Sequence, residues 1–202
     1  MIPVTPQPPP LPDFVVEVAN PGNAWLVARG YNAAMPLPNG AKPPAYWRAC
    51  LPELHVRYDG VCAYLAVHIE IAAGGVSVDH FVAKSALAGL TYDWSNYRLA
   101  CATMNARKRA FDDVLDPFLL PTAENVFHLE LVSGRIFVNP AIAGPVANMA
   151  KATTDRLKLD NGINRSMRAR HFSDYVTNEI STNILRRDSP FVYQEVLRQG
   201  LL

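Results

Sequence analysis

The stretch that decides the fold is residues 76–108, VSVDHFVAKSALAGLTYDWSNYRLACATMNARK. Its first residues follow an apolar run at 61–72 and a glycine pair, a pattern that predicts two short strands around a glycine turn. The run that begins at Asn96 predicts another short strand. A helix is predicted over 103–111, with a threonine near its start.

The flanks of this stretch differ in composition from it. Residues 3–12 carry six prolines, which predicts an extended, polyproline-like arm. Residues 19–45 are rich in Pro, Gly, Asn and Ala without a sustained period, which predicts loops. Helical character is expected over 45–56. We predict an α+β protein in three parts: a proline-rich arm with loops (1–44), a core (45–120), and a hairpin with a C-terminal helical extension packed on the core (121–202).

The C-terminal part shows its own periodicities. The run FHLELVSGRIFVN, residues 127–139, predicts a hairpin that turns at Ser133-Gly134. Two helices are predicted after it, roughly over 143–160 and 164–187.

Composition limits the classes of protein that this chain can represent. Half of the 202 residues are hydrophobic and 18% are charged, which fits a globular protein and argues against wholesale disorder. No apolar run approaches the roughly 18 residues that a membrane span needs. The N-terminus lacks a signal-peptide pattern, and three cysteines do not fit a secreted disulfide framework. We therefore expect a cytoplasmic protein without a membrane partner.

Positive charge is small in sum but clustered. The formal net charge is +1, which is weak for a free-standing nucleic-acid binder. Two groups of basic residues nevertheless occur: Arg98, Arg107, Lys108 and Arg109, then Arg156, Lys158, Arg165, Arg168 and Arg170. Each group is either a phosphate-binding surface or a solvated helix face.

An ordered set of polar residues runs through the central stretch. Asp79 and His80 are adjacent at the end of a predicted strand, where neighbouring side chains point to opposite faces. Asn96 and Asn105 follow, and Lys108 shares a helix face with Asn105. A carboxylate and an amide oxygen, supplemented by substrate phosphate oxygens, would satisfy a hard divalent ion such as Mg²⁺. A neutral histidine could take a proton from an attacking water, and Lys108 could hold a phosphate.

The central stretch resembles the ββα-metal core of HNH nucleases. The resemblance rests on the DHF-x-x-KS start, the YDWSN element and the closing MNARK, and its core covers residues 58–118. It implies that Asp79 and Asn105 are metal ligands, with Mg²⁺ or Mn²⁺ as the cofactor, and that His80 is the general base. It also implies that Asn96 braces the loop and helps to orient the base.

Many HNH relatives carry two CxxC pairs that hold a structural zinc. Here the corresponding places read Cys62-Ala-Tyr-Leu65 and Cys101-Ala-Thr-Met104, so each pair keeps only its first cysteine. Two cysteines do not complete a tetrahedral zinc site. No structural zinc is expected, and we predict that Cys62 and Cys101 are buried, close together and reduced, with Leu65 and Met104 filling the space as core.

The wider chain is similar to HNH effectors of bacterial anti-phage systems, the Septu-type and retron-associated PtuB proteins. The resemblance implies a DNA-cleaving defence effector held by a protein partner such as an ATPase. Two alternatives stay open: an RNA-cleaving (tRNA-cleaving) effector with the same site, and a catalytically inert partner-binding subunit. Lys84, in the loop after His80, is a further candidate for contact with a phosphate.

Overall fold

The structure is a computed structural model that describes residues 1–5, 7–120 and 125–201. Within these ranges it is a mixed α and β protein in which helix predominates over strand, compatible with the predicted α+β class. Two separate two-stranded antiparallel sheets are present: β1 (Val76–His80) with β2 (Tyr97–Cys101), and β3 (Phe127–Glu130) with β4 (Arg135–Val138). The α-helices are α1 (Pro12–Phe14), α2 (Asn20–Ala28), α3 (Leu51–Arg57), α4 (Ala102–Lys108), α5 (Gly144–Leu157), α6 (Gly162–Val176), α7 (Thr182–Asp188) and α8 (Pro190–Arg198).

The chain divides into two compact units that interleave in sequence. The first unit is Thr5–Gly60 with Ile69–Asp112, and it contains β1, β2 and α1 to α4. The second unit is Met1–Val4, Val61–His68 and Asp113–Leu202, and it contains the remaining strands and helices. The chain therefore passes from one unit to the other at four places. The boundaries of these units do not coincide with those of the three predicted parts.

A helical segment over 12–28 opens the first unit, where a π-helical turn (Val15–Ala19) joins α1 to α2. The prediction of loops over 19–45 is wrong for the first part of that range. The buried residues are Phe14, Val18, Gly22 and Leu26, a strict i, i+4 row that faces the core. The proline and glycine in this segment made its composition resemble that of a loop. A proline in the first turn of α2 is nevertheless compatible with a helix.

Residues 8–11 of the proline-rich arm are hydrogen-bonded to other parts of the first unit. The indole N–H of Trp94 donates to the Pro8 carbonyl at 3.0 Å, and Arg57 donates to the Pro9 carbonyl at 3.2 Å. The Leu11 N–H then donates to the Glu53 carboxylate at 2.8 Å. The segment just before α1 is therefore fixed by hydrogen bonds rather than by regular secondary structure.

The predicted strand, strand and helix of the central stretch are present as β1, β2 and α4. The strands pair antiparallel, with Asp79 opposite Arg98 and His80 opposite Tyr97. The Ala102 N–H donates to the Gly75 carbonyl at 2.6 Å, which ties the start of α4 to the residue before β1. This hairpin and helix carry the candidate residues.

The predicted strand over 61–72 is not formed. Residues 61–68, in the second unit, make turns closed by an isolated bridge between Val61 and His68. Tyr64 in these turns is fully buried, and the His68 N–H donates to the Asp188 carbonyl at 2.9 Å. The apolar run thus reflects burial in a core without strand pairing, because β1 pairs with β2 instead.

The second unit contains the predicted hairpin, with β3 and β4 joined at Ser133-Gly134. The first predicted helix corresponds to α5. The second, over 164–187, is divided into α6 and α7, with Asn178 at a positive φ of 61° between them. Of the described helices, none combines the length and the apolar character that crossing a membrane would require.

Most of the second basic group is engaged inside this unit. Arg156 pairs with Asp113 at 2.8 Å, and Arg165 pairs with Asp160. Arg168 is buried and donates to the Gly134 carbonyl at 2.8 Å. Each of these three side chains therefore has a partner within the unit, and the buried one, Arg168, is not available to a phosphate backbone.

Candidate active site

Asp79 and His80 are the last two residues of β1, and both side chains are buried. The Ser77 hydroxyl donates to the Ala100 carbonyl at 2.9 Å, which adds a side-chain bond to the β1–β2 ladder. Because β1 is paired along its whole length, its last two residues are held on a rigid element rather than in a loop.

Asp79 is paired with Lys108. Asp79 Oδ2 lies 3.3 Å from Lys108 Nζ, with the two side chains 2% and 1% exposed. Lys108 Nζ also donates to the carbonyls of His80 at 3.0 Å and Phe81 at 2.7 Å. An ammonium has three hydrogens to donate, and these three acceptors account for them. The placement does not support the predicted phosphate contact of Lys108; it indicates that Lys108 joins α4 to the end of β1.

The imidazole of His80 is oriented by its neighbours. His80 Nε2 lies 2.9 Å from the Thr91 carbonyl oxygen, and the ring packs edge-on against Trp47 and Tyr97. A carbonyl oxygen only accepts, so Nε2 carries the proton and Nδ1 has the lone pair in the neutral ring. Burial lowers the pKa of His80 to about 3, with the Lys84 charge as the next cause and the Thr91 bond opposing both. The ring is therefore neutral at pH 7.

Asn96 fastens the loop between β1 and β2. Its Nδ2 donates to the carbonyls of Val82 at 2.9 Å and Leu90 at 3.0 Å, and its Oδ1 accepts from the Val82 N–H at 2.8 Å. The Leu90 carbonyl immediately precedes Thr91, whose own carbonyl bonds His80. Asn96 therefore holds the backbone that orients the His80 ring.

Asn105 projects from α4 toward β1. Its Nδ2 donates to the Ser77 hydroxyl at 3.1 Å and to the Val78 carbonyl at 3.2 Å. Because the Val78 carbonyl cannot donate, it must face the amide nitrogen, which fixes the orientation of the amide. The amide oxygen is then the atom of Asn105 that can accept a cation.

Three of the predicted site residues line one cavity of about 440 Å³ in the first unit: Asp79, His80 and Asn105. Asn96 and Lys108 are outside the described lining and act on it through the contacts above. The other lining residues are Leu37, Pro38, Asn39, Gly40, Ala41, Pro43, Trp47, Val78, Ala83, Lys84, Ser85, Arg109 and Ala110.

Two cationic residues, Lys84 and Arg109, are among those that line this cavity. Lys84 Nζ lies 4.6 Å from the centre of the Trp47 ring, and burial lowers the Lys84 pKa while the Asp79 charge opposes that shift. Arg109, the residue after α4, is exposed. Arg98 does not belong with them, since it is buried and donates to the Ser95 carbonyl at 2.7 Å. Of the first basic group, Arg98 and Lys108 are therefore engaged within the fold, whereas Arg109 lines the cavity.

Sequence reasoning did not identify Trp47, the 37–41 segment or Pro43 as part of this site. The segment contains a turn in which the Ala41 N–H donates to the Pro38 carbonyl at 3.0 Å, and Gly40 has a φ of +82°. A positive φ at the third residue of a turn favours glycine. The Pro-Asn-Gly pattern predicts such a turn, but nothing in it indicates proximity to Asp79.

The cavity offers few donors for a metal ion. Among the described residues, no group of three or more His, Cys, Asp or Glu side chains is arranged to hold a metal. Asp79 and Asn105 offer one carboxylate and one amide oxygen on the same cavity, a small oxygen donor set that fits an ion such as Mg²⁺, which keeps several waters.

The two cysteines of the expected lost zinc site have different environments. Cys62 is buried in the second unit, whereas Cys101 ends β2 in the first unit and is only partly buried. The prediction of burial is confirmed for Cys62 and wrong for Cys101, because the last residue of β2 lies at the edge of the hairpin. Met104 is buried, as predicted, and Leu65 is only partly so. The absence of structural zinc stays a prediction.

Comparisons with known proteins add no family to this description. No protein-family model matches the chain, and no curated protein matches it either.

Proposed function

We propose that this chain is a divalent-metal-dependent endonuclease with an HNH-type, ββα-metal site. The observation that carries the proposal is the convergence of Asp79, His80 and Asn105 on one cavity at the end of β1 and the face of α4. A carboxylate, an amide oxygen and a neutral imidazole in one cavity are the groups that metal-assisted phosphodiester hydrolysis requires.

The metal would be held by the Asp79 carboxylate and the Asn105 amide oxygen. When bound, Mg²⁺ or Mn²⁺ neutralises charge on the phosphate and on the leaving 3′ oxygen. The Nδ2 bonds of Asn105 to β1 fix the orientation of the amide, so that its oxygen is the atom that would bind the cation. Lys108 keeps Asp79 in place by the buried ion pair.

His80 acts as the general base through Nδ1. The water oxygen forms a bond to phosphorus as Nδ1 accepts a proton from that water, and the bond between phosphorus and the 3′ oxygen breaks. The leaving 3′ oxygen takes its proton from solvent. The Thr91 bond keeps Nε2 protonated, so that Nδ1 is the nitrogen that accepts. Lys84, on the same cavity, contacts the phosphate in place of Lys108.

The test is incubation of the purified chain with supercoiled plasmid in Mg²⁺, Mn²⁺ or EDTA. We expect metal-dependent nicking that His80→Gln removes and that the matched variant His128→Gln retains. His128 lies in β3 of the second unit, outside the described cavity lining. Circular dichroism checks that His80→Gln is folded. Nicking in EDTA, or full activity of folded His80→Gln, would refute the proposal.

The proposed substrate is DNA, on the resemblance of the central stretch, and the proposed setting is cytoplasmic anti-phage defence with delivery by a protein partner such as an ATPase. The small net charge of +1 supports delivery, because a weakly charged chain binds phosphate backbones poorly alone. Parallel assays on plasmid and tRNA compare the two substrates. Faster cleavage of tRNA would replace DNA with RNA.

A further inference from the structure

One residue at the cavity occupies a backbone conformation that its side chain disfavours. Arg109 has φ 51° and ψ −130°, directly after α4. The Phe111 N–H donates to the Lys108 carbonyl at 3.1 Å, which closes a four-residue turn with Arg109 at its second position. These angles are those of a type II′ turn, where glycine is the favoured residue at that position. An arginine there costs stability that a glycine would not.

Within the part of the chain that the structure describes, the guanidinium of Arg109 makes no stabilising polar contact. The side chain is exposed, and among the described residues no ion pair or hydrogen bond of its guanidinium is found. Arg109 is one of the residues that line the cavity, together with Lys84, Asp79 and His80. Strained residues cluster at active sites and ligand clamps, and Arg109 combines disfavoured dihedral angles with a position on the lining of this cavity.

We propose that Arg109 is a substrate-binding residue that holds the phosphodiester backbone at the cavity, together with Lys84. This inference rests on the proposed nuclease function and names its backbone-binding residue. A guanidinium can form two parallel hydrogen bonds to one phosphate, whereas Lys84 supplies a single point charge. The strain at Arg109 is the stability lost in return for this contact.

The proposal predicts opposite effects of one substitution on stability and on binding. Arg109→Gly relieves the strain, so its Tm should rise by about 2–4 °C, followed by tryptophan fluorescence. The same variant should bind a fluorescein-labelled DNA duplex or RNA hairpin about tenfold more weakly in EDTA. The slope of log K against log salt should decrease by about one, as expected for one lost phosphate contact.

Two further variants separate backbone from side chain. Arg109→Ala removes the guanidinium but keeps a side chain at the disfavoured angles, so it should lose the same affinity without the gain in Tm. Lys158→Gly is the matched control, because Lys158 is an exposed cation with φ 50° after α5, outside the described cavity lining. It should gain stability, measured by circular dichroism, and keep full affinity.

The outcomes distinguish this inference from the function on which it rests. If the wild type binds and cleaves nucleic acid with dependence on metal and His80, but Arg109→Gly binds equally well, only the role of Arg109 is overturned. A lower Tm in Arg109→Gly would also overturn it, since the side chain would then stabilise the fold. If the wild type neither binds nor cleaves, the nuclease function fails and this inference fails with it.

Discussion

Replacement of Lys108 by methionine tests whether this lysine is a structural residue or a phosphate contact. The ammonium lies 3.3 Å from Asp79 Oδ2, and both side chains are almost completely buried. Lys108→Met keeps most of the length of the side chain and removes the charge. Asp79 is then left as a buried carboxylate without this partner, and the carbonyls of His80 and Phe81 lose a donor.

The magnitude follows from burial. Removal of one partner from a buried ion pair costs about 3–5 kcal/mol, because the remaining charge is desolvated without compensation. A phosphate-binding lysine at a surface would cost less than about 0.5 kcal/mol of stability when replaced. The two roles of Lys108 therefore differ by several kcal/mol in the free energy of unfolding.

The assay is urea denaturation followed by tryptophan fluorescence. The three tryptophans of the chain, Trp25, Trp47 and Trp94, all lie in the first unit, so their emission reports the unfolding of the unit that contains Lys108. Lys42→Met is the matched control, because Lys42 is an exposed lysine of the same unit. It should change the unfolding free energy by less than about 0.5 kcal/mol.

A double variant isolates the ion pair. Adding Asp79→Asn to Lys108→Met removes the uncompensated charge, so it should recover about 1–3 kcal/mol relative to Lys108→Met alone. Equal stability of Lys108→Met and Lys42→Met, with weaker binding of nucleic acid only in the former, would refute the structural role. Lys108 would then be the phosphate contact that its position in the sequence suggests.

Three further substitutions test close packing and a buried cation. Gly22→Ala would bring its methyl group to 2.2 Å from the Tyr92 ring. We therefore expect a loss of about 1–3 kcal/mol in the free energy of unfolding, measured by urea denaturation with fluorescence. An unchanged midpoint would contradict the contact. Gly134→Ala would place a methyl group at a φ of +68° and 2.0 Å from the Arg165 carbonyl oxygen. Thermal denaturation followed by circular dichroism should therefore show a loss of more than about 2 kcal/mol in the free energy of unfolding. Wild-type stability of this variant would argue against this turn. Arg168→Met leaves the buried Gly134 carbonyl without its donor and should cost about 1–3 kcal/mol by the same method; a cost near zero would mean that water replaces the guanidinium.

The elements with short-range signals were predicted correctly. Short-range sequence patterns predicted the strands β1 and β2 and the start of helix α4. The Ser-Gly turn likewise predicted the β3–β4 hairpin. The helical segment over 12–28 was missed because proline and glycine interrupt its composition, although its apolar row repeats every four residues. The run at 61–72 was misassigned because an apolar run records burial and does not show whether a partner strand exists.

The site was predictable only in part, for a related reason. Order and spacing placed Asp79, His80 and Asn105 together, since all three lie on one hairpin and the helix that follows it. The spacing put Lys108 on the face of Asn105 but did not show its depth, which decides between an ion pair and a phosphate contact. Arg109 is distinguished by a dihedral angle, and no sequence pattern predicts an arginine at a glycine position.

The interleaving of the two units has a consequence for how the protein can be divided. The segment 61–68 belongs to the second unit, yet it is inserted between two parts of the first. A truncation after residue 112 keeps the whole candidate site but separates 61–68 from Asp188, whose carbonyl binds the His68 N–H. Tyr64 would then lose the core in which it is buried. Gene fusion or domain shuffling cannot transfer the first unit as one uninterrupted block of sequence, so we expect the two units to be inherited, expressed and engineered as a pair.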